Sequence, residues 1–346
     1  MKVKFKSIIK YIIILTATAS LLWLSLNSIE VKEGESKFNF IMGVWHIANK
    51  PFLFLSAIIA VISHLIRAER WRLLLSPLNY NIQLSESFMS VMVGYFINLV
   101  IPRGGEVSRC YNLFRLNKTP INISFGTVIV ERIVDVIFLL SLITFSFFIE
   151  LDTLLAFFKS LNLSLSSKGL VPSIGKILIF VSVIAIMVIA VKILLAKKRS
   201  LFLKMIIKTR EALRGIKEGV AAILKLEKRG LFIVYSLMIW ICYFLMSYIV
   251  MKAFPDTENL SFLAALTIFV IGGIAMAVPL PGGVGSYHVL VPAGLVFLYA
   301  IPQDKAIAFT IIFHGWQTIV IIIIGASSLL ISQIKAKHKI YEKNRN

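Results

Sequence analysis

Long apolar runs, separated by short polar and basic stretches, set the pattern of this chain. They fall at Ile8–Leu26, Pro51–Ile66, Leu84–Ile101, Ile121–Ile149, Ile177–Ala196, Leu231–Met251, Leu260–Val278, Ser286–Ala300 and Ala306–Ile331. Several are close to or above the ~20 residues a helix needs to cross the hydrocarbon core of a bilayer. The first run follows Lys2, Lys4, Lys6 and Lys10, as the core of a signal peptide would. No small-x-small cleavage site clearly follows it, and it is long enough to span, so it reads as a retained helix. Only 16% of the residues are charged, 58% are hydrophobic, and the mean hydropathy is +0.87. A soluble domain carries about a quarter charged residues, so a water-soluble protein is excluded. The pattern predicts an all-α polytopic integral membrane protein.

Charge placement then decides which runs cross. The net charge is +20, which in a soluble protein would suggest nucleic acid. Membrane proteins instead collect Lys and Arg in cytoplasmic loops. If every run crossed, Arg103, Arg109, Arg115 and Lys118 would lie outside, and Glu150 and Asp152 inside, against that tendency. Folding Leu84–Lys118 as a re-entrant hairpin removes the conflict. The N-terminal tail, the Arg67–Gln83 loop, the Lys197–Arg229 loop and the C-terminal tail then hold 23 basic residues on one side. The expected protein is a multi-pass protein of the inner or plasma membrane with both termini cytoplasmic.

This assignment exposes an internal repeat. Each half reads helix, helix, hairpin, helix, and each hairpin breaks at a Pro-Gly-Gly element: Pro102-Arg103-Gly104-Gly105-Glu106 in one, Pro279-Leu280-Pro281-Gly282-Gly283-Val284-Gly285 in the other. About six full spans plus two re-entrant hairpins would form an inverted repeat within one membrane domain. Residues 1–150 form the first half, 151–176 an outer loop, and 177–334 the second half. Paired Gly/Pro-interrupted segments at matching positions point to a transporter's central site; two ordinary interhelical turns are the competing reading. The basic segment 197–229 has apolar spacing that suits a helix lying on an anionic leaflet, and a solvated linker suits it equally.

Ionisable groups inside a bilayer are costly and so mark candidate sites. One cluster is Arg103, Glu106 and Arg109 at the first tip. Gly104 and Gly105 would let backbone N–H groups approach an anion, two guanidiniums would fork a phosphate, and Glu106 would pair with Arg109 three residues on. The competing reading is a cytoplasmic turn whose arginines touch headgroups. A second cluster is Glu131, Arg132 and Asp135, either a ligand contact or an ion pair locking two helices. At the second tip, His288 follows Gly282, Gly283 and Gly285, while His314 and Gln317 lie one turn apart on the last helix. Trp23, Trp71, Tyr80 and Tyr299 read as interface anchors. Two unpaired cysteines and five histidines without metal spacing give no metal site.

With these motifs in view, the chain resembles the transmembrane region of the lysylphosphatidylglycerol synthase and flippase-like family. The resemblance rests on Arg67-x-x-Arg70-Trp71, Arg103-Gly-Gly-Glu106-x-x-Arg109, Glu131-Arg132-x-x-Asp135 and Pro281-Gly-Gly-Val-Gly285, in that order over residues 5 to 335. It implies a membrane domain that binds a phospholipid or lipid-linked headgroup and moves it between leaflets. Two-domain members add a soluble aminoacyltransferase, which is not expected here. Many relatives carry Glu shortly after the second tip, where this chain has His288.

The leading expectation is therefore a non-enzymatic flippase or lipid-binding transporter for anionic headgroups, with no cofactor. No GxxxxGK[ST] nucleotide motif is present, so its drive would be a gradient or downhill exchange. A membrane enzyme that modifies a lipid headgroup or lipid-linked sugar is one rival. A scaffold for a separate soluble enzyme is another, and a homo-oligomer is open.

Overall fold

A computed structural model describes residues 16, 18–29, 31, 36–149 and 226–343. The expected span 177–196, the outer loop, and the basic segment up to residue 225 lie outside the described residues. So do residues 8–15 and 17 of the first predicted helix. Among the described residues all regular structure is helical: α1 (18–27), α2 (Lys37–Ile47), α3 (Lys50–Leu75), α4 (Leu84–Asn98), α5 (Gly105–Asn117), α6 (Ile121–Ile149), α7 (Arg229–Met251), α8 (Phe262–Ala277), α9 (Ser286–Tyr299) and α10 (Gln303–Lys343). The chain is thus a helical polytopic membrane protein.

Local sequence explains the ends. Pro51 sits in the first turn of α3, where its missing N–H costs nothing. Asn79, in the left-handed conformation at φ 62°, turns the chain away after Pro77. Ser36 and Ser261 cap α2 and α8 by accepting the backbone N–H groups of Asn39 and Ala264. Helix α2 falls between the first two apolar runs, where the pattern predicts no element. Its signal is that Ser36 cap ahead of an apolar run.

Among the described residues, four stretches are long and apolar enough to cross a membrane: Lys50–Leu78, Arg229–Met251, Pro281–Tyr299 and Gln303–His338. The third includes the kinked turn Pro281–Gly283 and was expected as half of a hairpin. Helix α6 is 29 residues long but carries three charges inside it. The arms α4, α5, α8 and α9 have 15, 13, 16 and 14 residues. At 1.5 Å per residue each arm measures roughly 20–24 Å, short of the ~30 Å core.

Packing follows one scheme twice. Helices α3 and α7 form the most extensive pair, running antiparallel, since Arg67 meets Tyr243 while Arg70 meets Ser236. Hairpin α4–α5 lies on α10 and α6, and hairpin α8–α9 lies on α6 and α10. Exchanging the halves reproduces the pairing. The two tips touch each other: Leu99 packs on Gly282, and Arg103 Nη2 donates to the Ala277 carbonyl at 3.3 Å. Both tips turn through a residue at φ 57°, Gly282 in one and Arg103 in the other.

Small residues let the arms of a hairpin approach. A Cβ on Gly105 would stand 2.2 Å from the Gly94 carbonyl and 2.6 Å from the Asn98 amide. Gly230 on α7 has nothing within 4 Å of such an atom. Gly105→Ala should therefore cost about 1–3 kcal/mol by overpacking, and Gly230→Ala almost none. Thermal melts in detergent check this, and equal midpoints would show that the arms are not in close contact.

Candidate functional site

The charged residues of three helices converge in the interior. Arg67 and Arg70, three apart, share one face of α3; Glu131 and Asp135, four apart, share one face of α6. Arg67 Nη1 donates to Asp135 at 3.1 Å, and Arg70 donates to Asp135 at 2.9 Å and to Glu131 at 3.3 Å. Arg109 of α5 donates to the other oxygen of Glu131. The remaining Arg67 and Arg70 nitrogens find neutral partners, whereas Arg109 Nε is buried with none. Arg70 Nη1 donates to Ser236 Oγ, and Arg67 Nε and Nη2 both donate to the Tyr243 hydroxyl. The Arg109 guanidinium lies 4.3 Å from the centre of the Trp71 ring. Three buried arginines thus face two carboxylates, leaving one positive charge in surplus.

This arrangement corrects several expectations. Arg109 pairs with Glu131 on the neighbouring helix and not with Glu106, because the side chain of Arg109 points inward between α4 and α6. Arg103 and Arg109 do not form one fork: Arg109 is buried, and Arg103 is exposed at the tip. The expected glycine N–H cradle is already used within the chain. Gly104 N–H goes to the Ile101 carbonyl, Gly105 N–H to Asn98 Oδ1, and Gly283 N–H to the Leu280 carbonyl. Gly105 is needed for the close approach of α4 instead. Trp71 is not an interface anchor; it is fully buried, and its Nε1 donates to Thr127.

Glu106 and Arg132 lie at the edge of the network. Both line an open groove of about 340 Å³ along α6, with Phe125, Val128, Ile129, Ile133, Val136 and Ile137. Arg132 reaches Asp135 with one nitrogen at 3.3 Å. Its Nε, and Glu106 Oε2, are buried without a hydrogen-bond partner. An unsatisfied buried polar atom costs about 1–3 kcal/mol, and so calls for a missing partner.

The second tip has its own constellation. His314 Nε2 lies 3.0 Å from the Gly282 carbonyl, Tyr287 stacks on His314, and His288 meets His314 edge to face at 4.8 Å. Gln317 lies one turn further along α10, its amide nitrogen buried and unpartnered. Sequence reasoning missed Tyr243, Ser236 and Tyr95, whose hydroxyl lies 3.1 Å from that of Tyr243. A lone hydroxyl in an apolar helix carries no signal until its neighbour is known. Arg67 and Arg70, which the sequence marks only through the family resemblance, sit at the centre.

The fold and buried charges define a helical membrane protein with an ion network packed among its helices. The chain belongs to the family described as the lysylphosphatidylglycerol synthase TM region, which matches residues 7–325. Its function is therefore lipid-related. It is 26% identical over 287 residues to the UPF0104 membrane protein PH1989 of Pyrococcus horikoshii, covering 76% of this chain and 81% of that one. It is 33% identical over 90 residues to the UPF0104 membrane protein MJ1595 of Methanocaldococcus jannaschii, covering 25% of this chain and 27% of that one. The match to MJ1595 thus spans about a quarter of that relative. No solved structure matches.

The surplus positive charge makes an asymmetric prediction. Glu131→Gln leaves three arginines against Asp135, whereas Arg109→Met leaves two against two. Breaking a buried pair costs about 3–5 kcal/mol, and Glu131→Gln should lose that much while Arg109→Met loses clearly less. The double variant should recover part of the Glu131→Gln loss. Thermal melts of the three variants decide, and equal losses for the two single variants would refute the charge count.

Proposed function

We propose that this protein is a lipid flippase or lipid-binding transporter, not an enzyme, and that Glu106 and Arg132 receive the headgroup. The observation that carries this reading is the groove on α6. Two oppositely charged side chains, each with an unsatisfied buried atom, sit beside a ladder of apolar residues that suits an acyl chain. Arg132 takes the phosphate, and Glu106 takes an amine or hydroxyl of the headgroup. The surplus arginine charge behind them favours an anion. Family membership supports lipid as the ligand.

In this reading the hairpins enter from opposite faces and meet near the bilayer centre. The short arms and the contact between the tips support that placement. The open end of the first hairpin lies beside Lys335, whose Nζ reaches Gln83 Oε1 at 3.2 Å. The open end of the second lies beside Ile301 and α2. Basic residues gather at the first end (Arg115, Lys118, Lys228, Arg229, Lys335, Lys337), which supports reading it as the cytoplasmic one. Both termini are then cytoplasmic, and the membrane is the cell's inner or plasma membrane. A headgroup crosses when the tips part, and the arginine network holds the surrounding helices still.

The test is reconstitution into liposomes containing fluorescent phosphatidylglycerol, with external dithionite reporting exposure of the label. The parent should accelerate transbilayer movement without changing the lipid's mass. Arg132→Gln and Glu106→Gln should each slow it about ten-fold or more, the loss expected when a hydrogen bond to a charged group worth roughly 1.5–3 kcal/mol is removed. Both variants should keep the parent's melting temperature. A mass change in the lipid would establish the enzyme reading, and unchanged rates in both variants would remove the groove from the mechanism.

A further inference from the structure

The second tip is gripped by groups whose protonation states follow from their partners. A carbonyl can only accept, so the His314 Nε2 beside the Gly282 carbonyl carries a proton. In the neutral ring that leaves Nδ1 as a bare acceptor. His288 is the opposite tautomer: its Nδ1 accepts the Gly285 N–H at 3.4 Å, so its proton sits on Nε2. The pair therefore offers one ring donor and one ring acceptor, with the rings 4.8 Å apart at 84°. The same Gly282 packs against Leu99 of the first tip.

The surroundings leave this pair as the titratable centre of the tip. From α9, Tyr287 stacks on His314 at 5.2 Å. From α10, the Gln317 amide nitrogen is buried without a partner. From α1, Ser25 Oγ donates to the His288 carbonyl, and Ser286 Oγ donates to the Ala275 carbonyl of α8. From the first hairpin, Arg103 donates to the Ala277 carbonyl. Among the described residues, no carboxylate or lysine forms an ion pair or hydrogen bond with either ring.

We propose that His314, ring to ring with His288, is a proton-binding site that locks the second tip. This rests on the reading that lipid passes when the tips part. A proton from water adds to the free lone pair of His314 Nδ1, and no existing bond breaks. Adding it to His288 instead would displace the Gly285 N–H that closes the start of α9. The imidazolium of His314 then holds the Gly282 carbonyl by a charge-assisted hydrogen bond, roughly twice as strong as the neutral one. Acid fastens α10 to the tip, and neutral or basic conditions release it.

Two measurements test this. In the phosphatidylglycerol liposome assay, the parent's rate should fall about five- to ten-fold as the pH is lowered from roughly 8 to roughly 4. His314→Gln can still donate to Gly282 but cannot take a proton, and its rate should be flat over that range. His288→Gln removes the neighbouring ring but not the accepting nitrogen, and should keep the fall. Separately, nitrogen NMR of histidine-labelled protein in nanodiscs should show one ring, absent in His314→Gln, passing from the Nε2–H tautomer to the doubly protonated form. A fall in rate that persists in His314→Gln overturns the lock. A His314 ring still neutral at the acid end overturns the proton site, whatever the transport result. A parent that takes up the proton but moves no lipid at any pH refutes the transport reading and leaves the proton site standing.

Discussion

Five charged side chains packed away from water are the constraint around which this protein is built. Taking an ion out of water costs several kcal/mol even after relaxation, and only close, complete pairing offsets it. Arg67, Arg70, Arg109, Glu131 and Asp135 meet that condition only if α3, α5 and α6 are held in one relative rotation. Helix α7 joins through Ser236 and Tyr243, which accept the donors left over on Arg70 and Arg67. The network therefore acts as a register device: a small rotation of α6 would leave Glu131 or Asp135 unpaired in a low-dielectric interior. The same register turns Arg132 and the apolar ladder from Phe125 to Ile137 outward, and so builds the groove.

The tips depend on that framework and work differently. Their contact is small: Leu99 against Gly282, and one hydrogen bond from Arg103. Arg103 holds a left-handed backbone conformation that costs a non-glycine residue of order 1–3 kcal/mol, which persists only where the surroundings enforce it. Strong fixed pairing around the helices and weak contact between the tips suit a machine whose frame stays still while its centre opens. The neutral histidines, held by backbone groups of the second tip, tune that weak contact without disturbing the ion network.

Family membership and groove chemistry meet at the lipid. The family gives a lipid-related membrane protein; the groove pairs a carboxylate and a guanidinium with an apolar wall. An amphiphile satisfies both parts at once. A soluble metabolite would leave the apolar wall unused, and a hydrocarbon would leave Glu106 Oε2 and Arg132 Nε unsatisfied.

Composition and periodicity alone determined that this is a helical membrane protein, because burying backbone in lipid leaves helices as the natural element and apolar length marks them. The two Pro-Gly-Gly breaks were legible for the same reason, as interruptions in otherwise continuous apolar runs. The charged residues were also visible one by one, since an ion in an apolar run stands out. What the sequence could not decide was who pairs with whom. Glu106 and Arg109 are good partners at three residues' spacing, yet Glu131 is nearer in space and shares Arg109's burial. Tyr243 and Ser236 look like any hydroxyls on an apolar helix until α7 is laid against α3. Trp71 resembles an interface anchor until its nitrogen is found on Thr127. Local spacing ranks neighbours along one helix; the burial of an ion is settled by groups on other helices, and only their packing brings those groups together.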